Sequence, residues 1–152
     1  MNHSRKGFTV IELVIVILIG SILATIAMGQ FGEAQNRFAI QGAQNQFISF
    51  HARARAMAIE SGKTVKVHWD HVGDSAWITR GDTILESVNF QSRYRVDLVG
   101  SGSGSNPWTL CLTSRGYADS DCNSFSSMPN LDFKLQGLTS RVTVLPLGQL
   151  VF

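Results

Sequence analysis

The sequence predicts an α+β protein, with one long N-terminal helix followed by an antiparallel β domain of two small sheets. Three observations carry this. Residues 8–28 hold 16 apolar residues in 21, far above the 44% of the whole chain. No proline occurs before Pro107, so nothing in the first sixty residues forbids a continuous helix. From residue 63 the pattern changes to short alternating runs divided by Gly, Asp, Asn and Pro, the punctuation of strands and turns.

The first element is the apolar run. Residues 13–32 carry no charge, and as a helix twenty residues rise about 30 Å, the thickness of a bilayer core. A chain of 152 residues cannot surround such a segment on every side, which argues against a buried soluble helix. Arg5 and Lys6 directly precede it, so the positive-inside rule puts residues 1–7 in the cytoplasm and the bulk of the chain across the membrane. A cleaved secretory signal is the competing reading, with Ala27-Met28-Gly29 as its small-x-small site and a signal-anchored or released periplasmic protein as its product. Glu12 speaks against it. A carboxylate at mid-bilayer costs roughly 2.5–3.5 kcal/mol, so one within an apolar segment marks a function. Were the chain cut after Gly7, the new amine of Phe8 would lie one helical turn from Glu12, and the helix dipole would favour an anion there.

Arg5-Lys6-Gly7-Phe8-Thr9-Val10-Ile11-Glu12-Leu13, followed by the apolar run, resembles the class III leader of type IV pilins and type II secretion pseudopilins. The resemblance implies cleavage after Gly7 by the prepilin peptidase and N-methylation of Phe8. It also implies pairing of Glu12 with the N-terminal amine of an adjacent subunit. The partners implied are other pilins or pseudopilins through this helix, the prepilin peptidase, and an inner-membrane assembly platform. The expected divisions are a leader at 1–7, a transmembrane and assembly helix at 8–29, a periplasmic half-helix at 30–62 and a β domain at 63–152.

Residues 30–61 continue the helix, rich in Ala, Gln and Arg. At 100° per residue, Ile40, Ala43, Phe47, Phe50, Ala54, Met57 and Ala58 form one stripe, expected to lie on one of the sheets, while Arg37, Arg53, Arg55 and Glu60 fall away from its centre. Gly62 is the expected C-cap. Gly29 and Gly32 weaken the junction by about 1 kcal/mol each, which fits either a membrane exit or a place to bend. Ala54-Arg55-Ala56-Met57-Ala58-Ile59, then Gly62 and Thr64-Val65-Lys66-Val67, resembles the end of the long helix in GspH/FimT-type minor pilins and pseudopilins. Leu110–Gly116 and Val142–Leu150 are similar to later strands of that family.

Strands are expected at 64–69, 75–79, 83–90, 93–99, 108–113, 131–135, 140–145 and 149–152. The Gly100–Asn106 run has the glycine content of a phosphate loop, but no Lys follows and a strand rather than a helix comes next, so it reads as a flexible surface loop. Cys111 and Cys122 are the only cysteines. Outside the cytoplasm a disulfide is expected, closing a 12-residue loop in a region, 114–130, that is rich in Ser, Asp and Asn.

No cofactor, metal or catalytic group is expected, and the chain does not read as an enzyme. His68 and His71 are three apart, on opposite faces of a strand; His51 lies on the helix flank; Asp119 and Asp121 flank a turn. Trp69, Trp77 and Trp108 read as core or sheet-surface residues. The remaining alternative is a DNA-binding minor pilin of DNA uptake, since some FimT-like proteins are associated with it. Arg93 and Arg95, expected to share one strand face, are the close basic pair, but the tail after Arg141 has no Lys or Arg. The net charge of +2 is itself a leader property: without residues 1–7 the count is 11 basic against 11 acidic, which argues against nucleic acid.

Overall fold

The computed structural model describes residues 8–102, 104–125 and 128–152, and, of residues 28–30, the backbone only. Helix α1 spans Val10–Ser61. Two compact units divide inside it, Met1–Gln35 and Asn36–Phe152. Beyond α1 follow β1 (Val65–Asp70), β2 (Ser75–Arg80), β3 (Thr83–Asn89), α2 (Phe90–Tyr94), β4 (Asp97–Ser101), β5 (Trp108–Leu112), β6 (Asn130–Leu135), β7 (Leu138–Val144) and β8 (Leu150–Val151). The strands form two four-stranded sheets, ordered β3-β2-β1-β5 and β4-β6-β7-β8, with every pairing antiparallel. Gly62, at φ 62°, closes α1 in the left-handed conformation that glycine adopts without strain.

Strand alternation selects the inner face of each sheet. Val65, Val67 and Trp69 point inward from β1, Ala76 and Ile78 from β2, and Trp108, Leu110 and Leu112 from β5. In the second sheet Leu98, Leu131, Phe133, Val142 and Val144 are buried. The helix stripe is buried as its periodicity predicts, with Met57 only half-covered. It does not lie on one sheet, however. The Phe47 ring meets Trp69 of the first sheet at 6.0 Å between centroids and Phe133 of the second at 5.8 Å, with Phe90 at 6.4 Å. One aromatic side chain is therefore wedged where helix and both sheets converge, because two four-stranded sheets are each too narrow to cover the stripe alone.

Polar pairs ring this core. Arg53 on α1 donates through Nε (3.0 Å) and Nη2 (2.5 Å) to the carboxylate of Glu86 on β3. Ser140 donates to Gln44 at 2.7 Å, and Asn36 donates to Gln136 at 2.7 Å. Exposed pairs of this kind add little stability each and mainly fix register. Across β6 and β7, Arg141 donates two hydrogen bonds to the buried Asp132, holding its carboxyl below the usual carboxylate range.

Two expectations are corrected. A strand was expected at 93–99, but residues 90–94 form α2 and β4 starts only at Asp97. The Asn89 side chain accepts from Ser92 N at 2.7 Å, an N-cap that starts a helical turn. Phe90 is buried in the core, and four residues on Tyr94 reaches Gln46 on α1. The Gly-rich run does keep to the surface, with Ser101, Gly102 and Gly104–Asn106 all exposed, but it is hemmed in by its neighbours rather than free. Gly100 lies in β4, and a Cβ there would stand 2.8 Å from the Trp108 ring; one on Gly104 would stand 2.7 Å from the carbonyl of Ser124. Glycine is needed at both because neighbouring atoms fill the space. Ser103 of this run lies outside the described residues.

The disulfide joins Cys111 to Cys122, with Cα atoms 5.8 Å apart. The loop that it closes, together with Asn123 and Ser124 just after it, covers the edge of β5. Asp119 N donates to Cys111 O at 2.9 Å, Ser124 N to Thr109 O at 3.0 Å, and Cys111 N to Asn123 Oδ1 at 2.9 Å. The same loop touches α1 through the Tyr117 ring, 5.8 Å from the Arg55 guanidinium carbon, and reaches the turn before β8 through Ala118 N and Leu147 O at 3.1 Å.

Replacing Phe47 by Ala is expected to destabilise a 36–152 fragment by about 3–5 kcal/mol, the cost of removing a buried ring whose surroundings cannot collapse. Urea denaturation followed by tryptophan fluorescence checks this; a loss below about 1 kcal/mol would show that the two sheets do not depend on this ring.

Candidate assembly and processing site

The N-terminal segment owes its character to side chains with nothing to pack against. From Val10 to Ile26 every large apolar residue is exposed, on all faces of the helix. Length and composition suffice to cross a membrane. Its hydroxyls are satisfied internally, as a hydrocarbon environment requires: Ser21 donates to Leu18 O and Thr25 to Ser21 O, both at 2.8 Å. That leaves Glu12 as the one ionisable group of the run.

Glu12 sits in the first turn of α1. Glu12 N donates to Thr9 Oγ1 at 3.3 Å, and Thr9 N donates to Glu12 Oε2 at 3.4 Å. This reciprocal pair is a capping box, which satisfies amides that a helix start leaves free. The T-x-x-E spacing of Thr9 and Glu12 was the signal that sequence reading overlooked. Phe8 precedes the helix with an exposed ring (83%). Gly7, with Arg5 and Lys6, lies outside the described residues.

The other singled-out residues go elsewhere. Arg93 lies in the last turn of α2, and Arg95 is its left-handed C-cap at φ 59°, so the two do not share a strand face as expected. His68 stacks on Trp77 at 5.3 Å, and its ring nitrogens lie 2.9 Å from Thr109 Oγ1 and 3.0 Å from Thr79 Oγ1. His71 lies past the end of β1, its ring 5.0 Å from that of Trp108. Among the described residues no three His, Cys, Asp or Glu side chains are grouped to hold a metal ion. His51 is packed rather than solvated, 5% exposed, with no hydrogen-bond partner for Nε2. Burial above all, and then the Arg55 charge, push its imidazole down to about 4, against a smaller opposing contribution from the backbone of Gly148.

Comparisons with known proteins bear on this segment and on the fold separately. Residues 2–28 match the prokaryotic N-terminal methylation motif. That motif covers the Gly7-Phe8 junction, the Thr9–Glu12 capping box and most of the apolar run. No curated protein sequence matches the chain. Among solved structures, the type IV minor pilin FimU of Pseudomonas aeruginosa superposes with a TM-score of 0.55 at 14% identity, over 76% of this chain and 88% of that one. The minor pseudopilin EpsH from the type 2 secretion system of Vibrio cholerae gives 0.52 at 18% identity, over 74% of this chain and 94% of that one. The fold is that of minor pilins and pseudopilins.

His51 makes stability pH-dependent in a defined direction. In the unfolded chain its imidazole takes a proton below its ordinary 6.5, whereas the folded site resists until about pH 4. Stability is therefore full above about pH 6.5 and falls as pH drops through 6.5 toward 4, by at most about 3 kcal/mol. Urea midpoints of the 36–152 fragment at pH 7.5 and 4.5 check this, with His51→Gln expected to remove most of the difference. An equal pH effect in that variant would place its origin in other groups.

Proposed function

We propose that the chain is a minor pilin or pseudopilin, a membrane-anchored structural subunit rather than an enzyme. It packs its apolar helix against those of neighbouring subunits in a type IV pilus or type II secretion pseudopilus. One observation carries this reading: a methylation motif at residues 2–28 runs into a helix whose apolar side chains are exposed on every face. The likeness in fold to FimU and EpsH supports it.

In this reading the first seven residues are a leader that prepilin peptidase removes after Gly7, and the new N-terminal Phe8 is methylated. Arg5 and Lys6 hold the leader in the cytoplasm. The β domain stands on the periplasmic side until an inner-membrane platform draws the subunit into a filament. Helix association then buries the apolar run a second time, against protein instead of lipid.

Glu12 changes partners in this scheme. In the single chain it caps its own helix through Thr9. In the filament it pairs with the Phe8 amine of a neighbour, because a carboxylate buried without an opposite charge is costly. The two roles differ in what they require. Capping needs an oxygen acceptor, which Gln also supplies; pairing needs a negative charge.

N-terminal sequencing of the protein recovered from membranes is expected to begin at methylated Phe8. A start at Gln30 would indicate an ordinary secretory signal and overturn the reading. The variants Glu12→Gln and Glu12→Ala are both expected to insert into the membrane, yet to enter filaments about a hundredfold less or worse, since losing a buried charge partner costs about 3–5 kcal/mol. Co-purification with sheared filaments measures this, and normal incorporation of Glu12→Gln would leave Glu12 with the capping role alone.

A further inference from the structure

We propose that the cavity between α1 and the open edge of β8 receives a tyrosine side chain from a protein partner whose extended segment pairs with β8 as an added strand. Every residue of the site belongs to the unit Asn36–Phe152.

The cavity measures about 410 Å³ and runs between Ile48, His51 and Arg55 on α1 and Leu150, Val151 and Phe152 on the other side. β8 is the last strand of its sheet: β7 pairs with one edge, and among the described residues no strand pairs with the other. Consecutive strand residues point to opposite faces, yet Leu150 and Val151 both line the cavity, which places it along the edge itself. The main-chain groups of such an edge are a template for an incoming strand. Large exposed side chains surround the opening. Val151 and Phe152 lie on β8 and just after it, Leu147 in the turn before β8, and Tyr117 beside Arg55. Exposed apolar residues grouped around a cavity are the composition of a protein interaction surface.

The polar groups of the cavity select the occupant. His51 is buried, its other ring nitrogen donates to the Gly148 carbonyl, and Nε2 has no partner. A neutral imidazole that donates through one nitrogen keeps a lone pair on the other, so Nε2 calls for a donor. Burial holds the ring in that neutral form at ordinary pH. Arg55 offers N–H groups and calls for an acceptor. It makes no ion pair among the described residues, and the hairpin from Val142 to Phe152 brings no charged side chain to it. A hydroxyl donates and accepts through one atom and so meets both needs. A carboxylate lacks the donor, and an indole lacks the acceptor. Serine and threonine carry too little apolar surface to fill walls made by Ile48, Leu150 and Phe152. A phenol ring supplies both the hydroxyl and the apolar body. In the free chain Nε2 is shut off from water as well, so the incoming ring displaces the side chains over it and gives an unpaired acceptor its donor.

Titration of the detergent-solubilised full chain tests this, with isotope-labelled histidine and the blocked peptide Thr-Val-Tyr-Val-Thr as probe. The His51 Nε2 resonance, identified by its loss in His51→Leu, is expected to shift saturably, and the Leu150 and Val151 amides to shift with it. The same peptide with Phe in place of Tyr is expected to bind about tenfold more weakly, since its ring leaves Nε2 unpaired. His51→Leu should bind the two peptides alike. Arg55→Gln, at a half-exposed position, should narrow the difference between them, and it carries the test where His51→Leu fails to fold. No saturable shift with the tyrosyl peptide, or equal affinity of the unaltered chain for both peptides, overturns the proposal. Binding of para-cresol as tight as that of the peptide, with the Leu150 and Val151 amides unmoved, assigns the cavity to a free phenol and overturns the strand-pairing partner.

Discussion

Helix α1 has two unlike surfaces to bury, and most of the structure answers to that demand. From Val10 to Ile26 the apolar side chains face every direction, so no single sheet or helix of the same chain could cover them. From Ile40 to Ala58 they narrow to one stripe, which a small β domain does cover. The first half calls for a surrounding medium, lipid or a ring of other helices, and the second calls for a fixed partner. Even the polar groups of the first half conform, with Ser21 and Thr25 bonded back to their own helix and Glu12 to Thr9.

In the second half, packing is concentrated where Phe47 meets both sheets. Neither sheet is broad, and each relies on the helix to close its inner face. The disulfide loop adds a link of another kind. It pairs with the edge of β5 and simultaneously touches α1 and the turn before β8, so one covalent closure holds three elements together. A closed loop of this length is worth about 3 kcal/mol in the chain-entropy model, appreciable for a domain of this size. Covering β5 also removes an exposed edge that could recruit foreign strands.

The contrast between what was legible and what was not follows from the range of the interactions. The buried stripe could be read because helical periodicity maps positions 40, 43, 47, 50, 54 and 58 onto one face without further information. Most strands could be read because alternation and turn residues are local. The cysteine pair needed only a location outside the cytoplasm. Helix α2 was missed because five residues are too few for a period to show. Its cause lies partly in the Asn89 cap and partly in the fit of Phe90 and Tyr94 against residues far away in the chain. The glycine run looked like a loop because no local rule announces that Trp108 will occupy the space beside Gly100.

The sequence by itself determined that the chain has an apolar helix long enough to span a bilayer, an N-terminal methylation motif across its start, one carboxylate within it, and a β domain behind it. Each is a property of neighbouring residues: hydrophobic length, charge order and periodicity. Only the tertiary structure decided that the stripe serves two sheets, that Glu12 caps its own helix, that His51 is buried without a partner for Nε2, and that Arg93 and Arg95 belong to α2 and its C-cap rather than to one strand face. These depend on which distant side chains fill the same volume. Packing at crystal-like density settles that for the folded chain as a whole and not for any short stretch of it.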